Sequence, residues 1–225
     1  MPDAKPAFRT KREHAVAKVK DAIMFGHYRP GQFLRQGQLM ADLDLGATPA
    51  REAALELVAK GLLVHESHRG VRVADLDAGR VAHVYGVRAL LEAEAARLST
   101  LRATAQAVDR VARHAHAMEA AFASNDLKRL GAADSRFHQA LYEAAGNPVL
   151  QGLIEQMWDQ FPRYMLWQDA DRVRQSISEH GEIARRFARS DADGTANAVK
   201  LHILHGLDAF NAILMAGETA EATTT

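Results

Sequence analysis

The sequence predicts a mainly α-helical fold with two domains, residues 1–75 and residues 76–225. Apolar residues recur at helical spacing through most of the chain, which is typical of amphipathic helices. Only one pair of segments, 62–66 and 71–73, alternates apolar and polar residues around a glycine-containing turn, as a β-hairpin does. We therefore expect a small N-terminal unit of helices with one hairpin, followed by an all-α helical bundle.

Composition narrows the possible functions. The 225 residues include no cysteine, which excludes disulfides, thiolate metal sites and a cysteine nucleophile. Lys and Arg balance Asp and Glu at 28 each, but residues 1–75 hold 12 basic against 9 acidic side chains, whereas residues 76–225 hold 16 against 19. The mildly basic front of the chain points to nucleic acid at that end.

Two features of the sequence bear on location. No apolar stretch of about 18 residues occurs, so no membrane span is predicted. The N-terminal segment MPDAKPAFRTKREH is charged and has no apolar run behind it, so no secretory signal is predicted either. We expect a cytoplasmic protein.

Three helices are predicted before the hairpin. The apolar positions of the first two are Val16, Val19, Ile23, Leu39, Met40 and Leu43. Thr48 followed by Pro49 predicts the N-cap and first position of a third helix, which ends at Gly61. The inward positions of this third helix are Ala50, Ala53, Ala54, Leu57 and Val58.

Short helices joined by a tight turn and followed by a hairpin form a winged helix-turn-helix, whose last helix enters the major groove of DNA. At the start of the third helix, Thr48, Arg51 and Glu52 face outward and offer hydrogen bonds to base edges and phosphates. Arg69, at the tip of the wing, stands beside Gly70, which lets the backbone approach DNA closely. The alternative is that Arg51 and Glu52 merely pair across a solvated helix face.

The stretch PGQFLRQGQLMADLDLGATPAREAALELVAKGLL, followed by HRGVRV, resembles the DNA-binding domain of the GntR family of bacterial regulators over about residues 14–74. The resemblance implies a homodimer that binds double-stranded operator DNA, and it adds Arg35 to the DNA-contacting residues. The family's usual Gly-Val-Ser-Arg before Thr-Pro is replaced here by Asp-Leu-Gly-Ala. Ala47 therefore stands where the family has its first groove-facing arginine, which leaves the operator sequence and affinity open.

Titratable side chains interrupt the inward stripes of three helices in the second domain. Asp134 and His138 share one stripe a turn apart, and His180 and His202 lie on the inward stripes of two later helices. A single buried histidine is usually a satisfied core residue, and histidine is common in this chain. An aspartate and three neutral imidazoles that converge would instead bind a divalent metal ion (zinc, nickel or manganese) and leave open positions for a carboxylate.

An arginine interrupts the inward stripe of the first helix of the bundle. The apolar positions of that stripe are Val81, Val84, Leu91 and Ala95. Arg88 lies among them, so its guanidinium points toward the core and needs an anionic partner. One interpretation is a structural ion pair with Glu92 or Glu94. The other is a bidentate clamp on the carboxylate of a bound acid.

The segments YGVRALLEAEAARLS and DSRFHQALYEAAGNPVL, followed by a Glu-His pair and a later His, resemble the FCD-type ligand-binding domain of the FadR subgroup of GntR regulators, over about residues 79–215. The metal ligands that this resemblance implies are Asp134, His138, His180 and His202. The resemblance also places Arg88 at an effector cavity. Together these features favour a small carboxylate effector, an organic or sugar acid.

The sequence thus predicts a ligand-responsive transcriptional regulator, with repression the commoner outcome in the family, and not an enzyme. A metal-dependent enzyme is the first alternative, since a metal with open positions can activate water. Against it, no general acid or base accompanies the four ligands on an inward stripe. The second alternative is a weakened DNA binder that acts as a sensor or partner protein, which Ala47 suggests.

Overall fold

The computed structural model describes residues 10–67, 69–160 and 162–222, without the side chains of residues 163 and 217–222. Residues 1–9 of the charged N-terminal segment, in which no secretory signal is predicted, and His68 of the predicted wing lie outside these ranges. The described chain forms two compact units: the first ends at Leu76 and also includes the short segment Asp159–Pro162, and the second comprises Asp77–Trp158 and the residues from Arg163 onward. The fold is mainly α-helical, as the sequence predicts, with a small three-stranded sheet in the first unit.

The first unit is a winged helix-turn-helix. Its helices are α1 (Lys11–Met24), α2 (Gln36–Leu43) and α3 (Ala47–Ala59), and its strands are β1 (Phe33–Leu34), β2 (Leu63–Glu66) and β3 (Gly70–Val73). The predicted hairpin is present as β2 and β3, which pair antiparallel from Leu63 opposite Val73 to Glu66 opposite Gly70. β1 was not predicted, because two residues are too few to show an alternating pattern. It pairs antiparallel with the other edge of β3.

The core of the first unit lies between α1, α3 and the sheet. On α3, Ala50, Ala53 and Leu57 have no exposed surface, and Ala54 and Val58 pack against the same cluster, which confirms the predicted inward stripe. Small alanines on α3 allow its backbone to lie close to α1. The opposite face of α3 is therefore left to solvent, with Leu55 56% exposed.

The predicted start of α3 is wrong by a few residues. Gly46 is the N-cap, its carbonyl accepts from Ala50 N at 3.0 Å, and the helix begins at Ala47. Thr48 is an exposed residue of the first turn and not the cap. The shift arises because Asp44, in a left-handed conformation, already ends α2, so the chain turns earlier than Thr-Pro suggests.

The second unit consists of long helices. They are α4 (Ala78–Leu101), α5 (Ala105–Ala123), α6 (Leu127–Glu143), α7 (Pro148–Trp158), α8 (Ala170–Ala188) and α9 (Ala192–Ala222), with a short 3₁₀ helix Arg163–Trp167 before α8. The apolar spacing of the sequence predicts a single helix over 148–168, and this prediction is wrong. α7 ends at Trp158, since Pro162 has no amide hydrogen to donate and the residue before a proline disfavours helix.

Packing within the second unit brings four helices around one centre. α4 packs along α9, α6 contacts α4 and α5, and α8 packs against α9 and α5. Side chains from α4, α6, α8 and α9 include the buried arginines, carboxylates and histidines of the described part of this unit, namely Arg88, Glu92, Asp134, His138, Arg172, His180 and His202. Within the described residues, none of the helices has a segment long and apolar enough to cross a membrane.

One glycine is required by the backbone of the wing. Gly70 has φ +107°, and a Cβ there would lie 2.7 Å from the carbonyl oxygen of Leu34 on β1. We expect Gly70→Ala to destabilise the first unit by about 1–3 kcal/mol, because it combines a strained φ with a backbone overlap. Gly37 on α2 has open space around it, so Gly37→Ala is the matched control and should be neutral or slightly stabilising. Equal melting temperatures for the two variants would contradict this reading.

Candidate functional site

Three histidines from three helices meet in the second unit. His138 on α6, His180 on α8 and His202 on α9 each place one ring nitrogen within 4.8 Å of the other two, and all three residues are buried. The Nε2 atoms of His138 and His180 are 3.1 Å apart. Asp134, one turn before His138, places Oδ1 3.5 Å from His180 Nε2 and 3.9 Å from His138 Nε2. The structure thus brings together the four residues singled out in the sequence.

The outer nitrogen of each imidazole has its own hydrogen-bond acceptor. His180 Nδ1 donates to the carbonyl of Ser176 at 2.6 Å, and His202 Nδ1 donates to Glu179 Oε2 at 2.6 Å. His138 Nδ1 lies 3.1 Å from the hydroxyl oxygen of Tyr142. Because these bonds hold the protons on Nδ1, the Nε2 lone pairs are directed to the centre of the cluster.

The donor set fits a divalent metal ion. Burial, reinforced by the neighbouring His202, lowers the pKa of His180 to about 4, so this imidazole is neutral near pH 7. Nε2 atoms 3.1 Å apart repel each other unless a proton or a cation lies between them, and one proton cannot serve three rings. Asp134, His138, His180 and His202 offer one oxygen and three nitrogens, a set suited to zinc, nickel or manganese.

A buried carboxylate connects Arg88 to this cluster. Arg88 Nε donates to Glu92 Oε1 at 2.7 Å, and Glu92 has no exposed surface. Tyr142, whose oxygen faces His138, donates its own proton to Glu92 Oε2 at 2.8 Å. Burial and the charge of Glu92 raise the pKa of Tyr142, so the phenol keeps that proton.

The partner of Arg88, which the sequence leaves open between two glutamates, is therefore Glu92. Glu94 instead forms an exposed ion pair with Arg97 on the surface of α4. Trp158, the last residue of α7, also donates to Glu92 Oε1, at 3.0 Å. Arg88 additionally lies over the ring of Tyr85, 4.8 Å from its centroid.

Glu179 is a site residue that sequence reasoning did not assign. It accepts hydrogen bonds from His202, His205 and Arg172, at 2.6, 2.7 and 3.2 Å. Burial acts to raise the pKa of Glu179, but the hydrogen bonds from His202 and His205 and the charge of Arg172 outweigh it and lower that pKa to about 2. Its position directly before His180, at helical spacing from Arg172, is the only signal in the sequence.

Titratable groups thus accompany the four predicted metal ligands, contrary to the expectation from the inward stripes. Glu179 reaches His202 from a neighbouring helix, whereas Tyr142 lies one turn after His138 on α6 itself. Both side chains are already engaged with the outer nitrogen of a predicted ligand histidine. Their role in this arrangement is to orient the imidazoles and raise their basicity.

A small cavity adjoins the cluster. Its volume is about 40 Å³. The lining includes the guanidinium-bearing residues Arg88 and Arg172, the predicted ligands Asp134, His138 and His202, and the aromatic and aliphatic residues Tyr85, Met118, Leu130, Leu166, Trp167, Val173 and Ile203. Arg172 was not predicted, because it lies on α8 beside apolar Val173 and gives no separate periodic signal.

The predicted DNA-facing residues lie on the surface of the first unit. Thr48 and Arg51 on α3 and Arg35 at the start of α2 are exposed, and Glu52 is partly exposed. Within the ranges that the structure describes, Arg35 and Arg51 form no ion pair, and Arg51 does not pair with Glu52. By contrast, the neighbouring Arg12 is committed to Glu56 at 2.8 Å.

The wing residues lie close to α3. Arg51 and Gly70 line one groove between α3 and the sheet. Arg69 is exposed, and its guanidinium lies 5.8 Å from the centroid of the Phe33 ring on β1. Ala47 is the exposed first residue of α3, and its carbonyl accepts from Gln36 at 2.8 Å. Ala47 itself therefore offers no cation at the position where the family usually has its groove-facing arginine.

The bond between Tyr142 and His138 can be tested directly. We expect Tyr142→Phe to weaken divalent metal binding by about 10–100-fold, because His138 loses the acceptor that orients it. Tyr28→Phe removes a buried phenol that donates to Asp42 in the first unit, and it serves as the matched control. Competition with a chromophoric chelator measures both, and equal metal affinity in the two variants would contradict the orientation role.

Two family models match the chain. The model for bacterial regulatory proteins of the gntR family matches residues 11–73, and the FCD domain model matches residues 83–205. One relative, the "Nta operon transcriptional regulator" of Aminobacter aminovorans, is 29% identical over 81% of this chain and 86% of its own length. Another, the "Galactonate operon transcriptional repressor" of Escherichia coli, is 26% identical over 84% of this chain and 91% of its own length.

Solved structures show the same fold. The structure of Escherichia coli McbR/YncC covers 92% of this chain and 100% of its own chain, with a TM-score of 0.82 at 19% identity. The model matches place a gntR-type DNA-binding domain before an FCD domain, in the order in which the winged unit and the helical unit occur. The chain belongs to the gntR family of bacterial regulatory proteins.

Proposed function

We propose that this protein is a transcriptional repressor whose binding to operator DNA is controlled by a small carboxylate that enters a metal-containing cavity in the helical unit. The observation that carries the proposal is the convergence of three buried histidines and Asp134 at a cavity that Arg88 also lines. The names of its relatives, which describe operon regulators and repressors, support the regulatory role. A regulator of this kind acts in the cytoplasm, where the operator is.

The metal would be held by Asp134, His138, His180 and His202. When bound, it supplies an open, Lewis-acidic position for a carboxylate oxygen. The chain's own residues do the rest of the recognition. Arg88 presents a guanidinium at the cavity, and its Nε bond to Glu92 fixes the orientation of that group. An acid can therefore be held at both ends, by the metal and by an arginine.

Operator recognition falls to the exposed face of the first unit. Arg35, Arg51 and Arg69 are cations whose charge is not taken up by an ion pair in the described chain, and Thr48 and Glu52 add hydrogen-bonding groups. Gly70 lets the wing backbone pass close to a phosphate. Such groups satisfy the needs of major-groove readout and of backbone contact.

A homodimer is supported by exposed apolar side chains on α4, on the face that also carries the exposed Glu94–Arg97 ion pair. Val87, Leu90 and Leu101 are 43%, 69% and 63% exposed and lie at i, i+3 and i+14, on one face of the helix. On α7, which packs against α4, Val149 and Leu153 are also exposed. A second copy that covers this surface would present two DNA-binding units to the two halves of a pseudo-palindromic operator.

Effector control needs only a modest free energy. If the acid binds one arrangement of the dimer better than the other, a coupling of about 1–3 kcal/mol changes operator affinity enough for regulation. By linkage, operator DNA then changes acid affinity by the same factor.

The acid response is the direct test of the proposal. Operator titrations with zinc-loaded protein, with and without a carboxylic acid that stabilises it, should give different affinities. His138→Ala should keep operator binding and lose the acid response, whereas His116→Ala, at an exposed position on α5, should keep both. Equal operator affinity with and without acid in the native protein would refute the proposed switch.

The DNA-facing role of α3 has its own test. We expect Arg51→Ala to weaken operator binding by about 1–3 kcal/mol, because it removes a bidentate donor to a base or phosphate. Arg185→Ala removes an exposed arginine of α8 and should leave the affinity unchanged. If footprinting of the native protein protects no operator, the weakened binder that Ala47 suggests becomes the better description.

The dimer surface is tested by a charge on α4. Leu90→Glu should shift the protein to a monomer in sedimentation velocity and weaken operator binding, since a buried charge at an interface is costly. Leu127→Glu, at an exposed leucine that begins α6, is the control. A dimer that persists in Leu90→Glu would place the interface elsewhere.

A further inference from the structure

We infer that Trp167, seated on Gly131, limits the size of the effector, and that the cavity selects monocarboxylates of two or three carbons over six-carbon sugar acids. This inference rests on the proposed function and narrows its effector class. The residues concerned lie on the side of the cavity formed by the 3₁₀ helix. The proposed metal ligands and Arg88 lie on other helices.

The contact between Trp167 and Gly131 is unusually close. A Cβ at residue 131 on α6 would overlap the six-membered ring of Trp167 and lie 3.0 Å from its Cζ2 atom. Gly131 itself is buried, so the indole rests directly on the backbone of α6. Only glycine permits this position of the ring, which forms one side of the cavity together with Leu166.

A second glycine has the same role opposite an aromatic ring. A Cβ at Gly206 on α9 would lie 3.2 Å from Cε1 of Tyr85, which also lines the cavity. Two rings are thus held close to helix backbones and bound the space next to the ligands. The remaining volume of about 40 Å³ is far below the roughly 300–1,000 Å³ typical of pockets for larger ligands.

The volume of the cavity limits the size of the effector. About 40 Å³ admits a few water-sized groups, which is the scale of a carboxylate with one or two further carbon atoms. A six-carbon sugar acid would need the indole to leave Gly131. Trp167 lies on the 3₁₀ helix Arg163–Trp167, the shortest element around the cavity, and its indole is the largest side chain of the lining. Its truncation is therefore the single change that enlarges the cavity most.

Charge points to a single carboxylate. Each arginine at the cavity already has its own carboxylate, since Arg88 pairs with Glu92 and Arg172 pairs with Glu179. Asp134 then offsets one of the two positive charges of a divalent ion. One positive charge remains, and a monoanion neutralises it, whereas a dianion leaves an uncompensated negative charge in a buried site.

The test compares acids by calorimetry and by thermal shift on the full-length, zinc-loaded protein. The probes are glycolate and lactate, the six-carbon acid galactonate, and the dicarboxylate malonate. We expect glycolate and lactate to bind the native protein and galactonate and malonate to bind at least about tenfold more weakly. In Trp167→Ala the affinity for galactonate, taken as a ratio to the affinity for lactate, should rise by about tenfold, whereas malonate should still bind weakly.

Three further variants complete the design. Met165→Ala removes a large side chain from the same 3₁₀ helix that is not part of the cavity lining, so its selectivity should match the native protein. Trp167→Phe keeps a ring, and Gly131→Ala displaces the indole from the other side. Both should weaken the discrimination against galactonate. If Trp167→Ala shows no cooperative unfolding and is therefore not folded, these two variants test the role of Trp167 instead.

The outcomes separate this inference from the function on which it rests. Native protein that binds galactonate or malonate as tightly as lactate would overturn the inference alone, and so would unchanged selectivity in both Trp167→Phe and Gly131→Ala. A loss of selectivity in Met165→Ala equal to that in Trp167→Ala would also overturn it. If no acid of any size binds any variant, the proposed acid-controlled switch fails as well.

Discussion

The carboxylate of Glu92 is the interaction on which the helical unit depends. A charge with no exposed surface is tolerated only when its hydrogen bonds are complete, and removal of one partner from such a group typically costs about 3–5 kcal/mol. Here α4, α6 and α7 each contribute one donor, from Arg88, Tyr142 and Trp158. The same carboxylate therefore fixes how three helices meet and how Arg88 and, through Tyr142, His138 are oriented.

The hydrogen bonds around the histidines extend this constraint to α8 and α9. Glu179 ties His202 to Arg172, and the carbonyl of Ser176 holds His180 from within its own helix. Each imidazole is thus preorganised through its outer nitrogen. A metal ion that binds here meets ligands whose orientation has already been set by folding, which lowers the entropy lost on binding.

Periodicity sufficed for the parts of the fold in which one face of a helix is buried. The stripe of α3, the hairpin, and the inward placement of Asp134, His138, His180 and His202 follow from spacing alone, with the family resemblance needed to favour a metal over a histidine-rich core. What spacing could not supply depends on contacts between elements. Glu179 meets His202 only when α8 and α9 are packed, and the bond from Tyr142 to Glu92 likewise crosses from α6 to α4. The break after Trp158 depends on how a proline four residues later is accommodated.

α4 carries charged side chains on its buried face and apolar side chains on its exposed face. Arg88 and Glu92 face the interior, while Val87, Leu90 and Leu101 face outward, along a helix of 24 residues that spans about 36 Å. Because a helix rotates about its axis as a unit, its two faces move together. Any roll about its axis that adjusts Arg88 by a few degrees sweeps the outer leucines through the same angle, so a change too small to alter the fold is still transmitted to whatever lies against that surface.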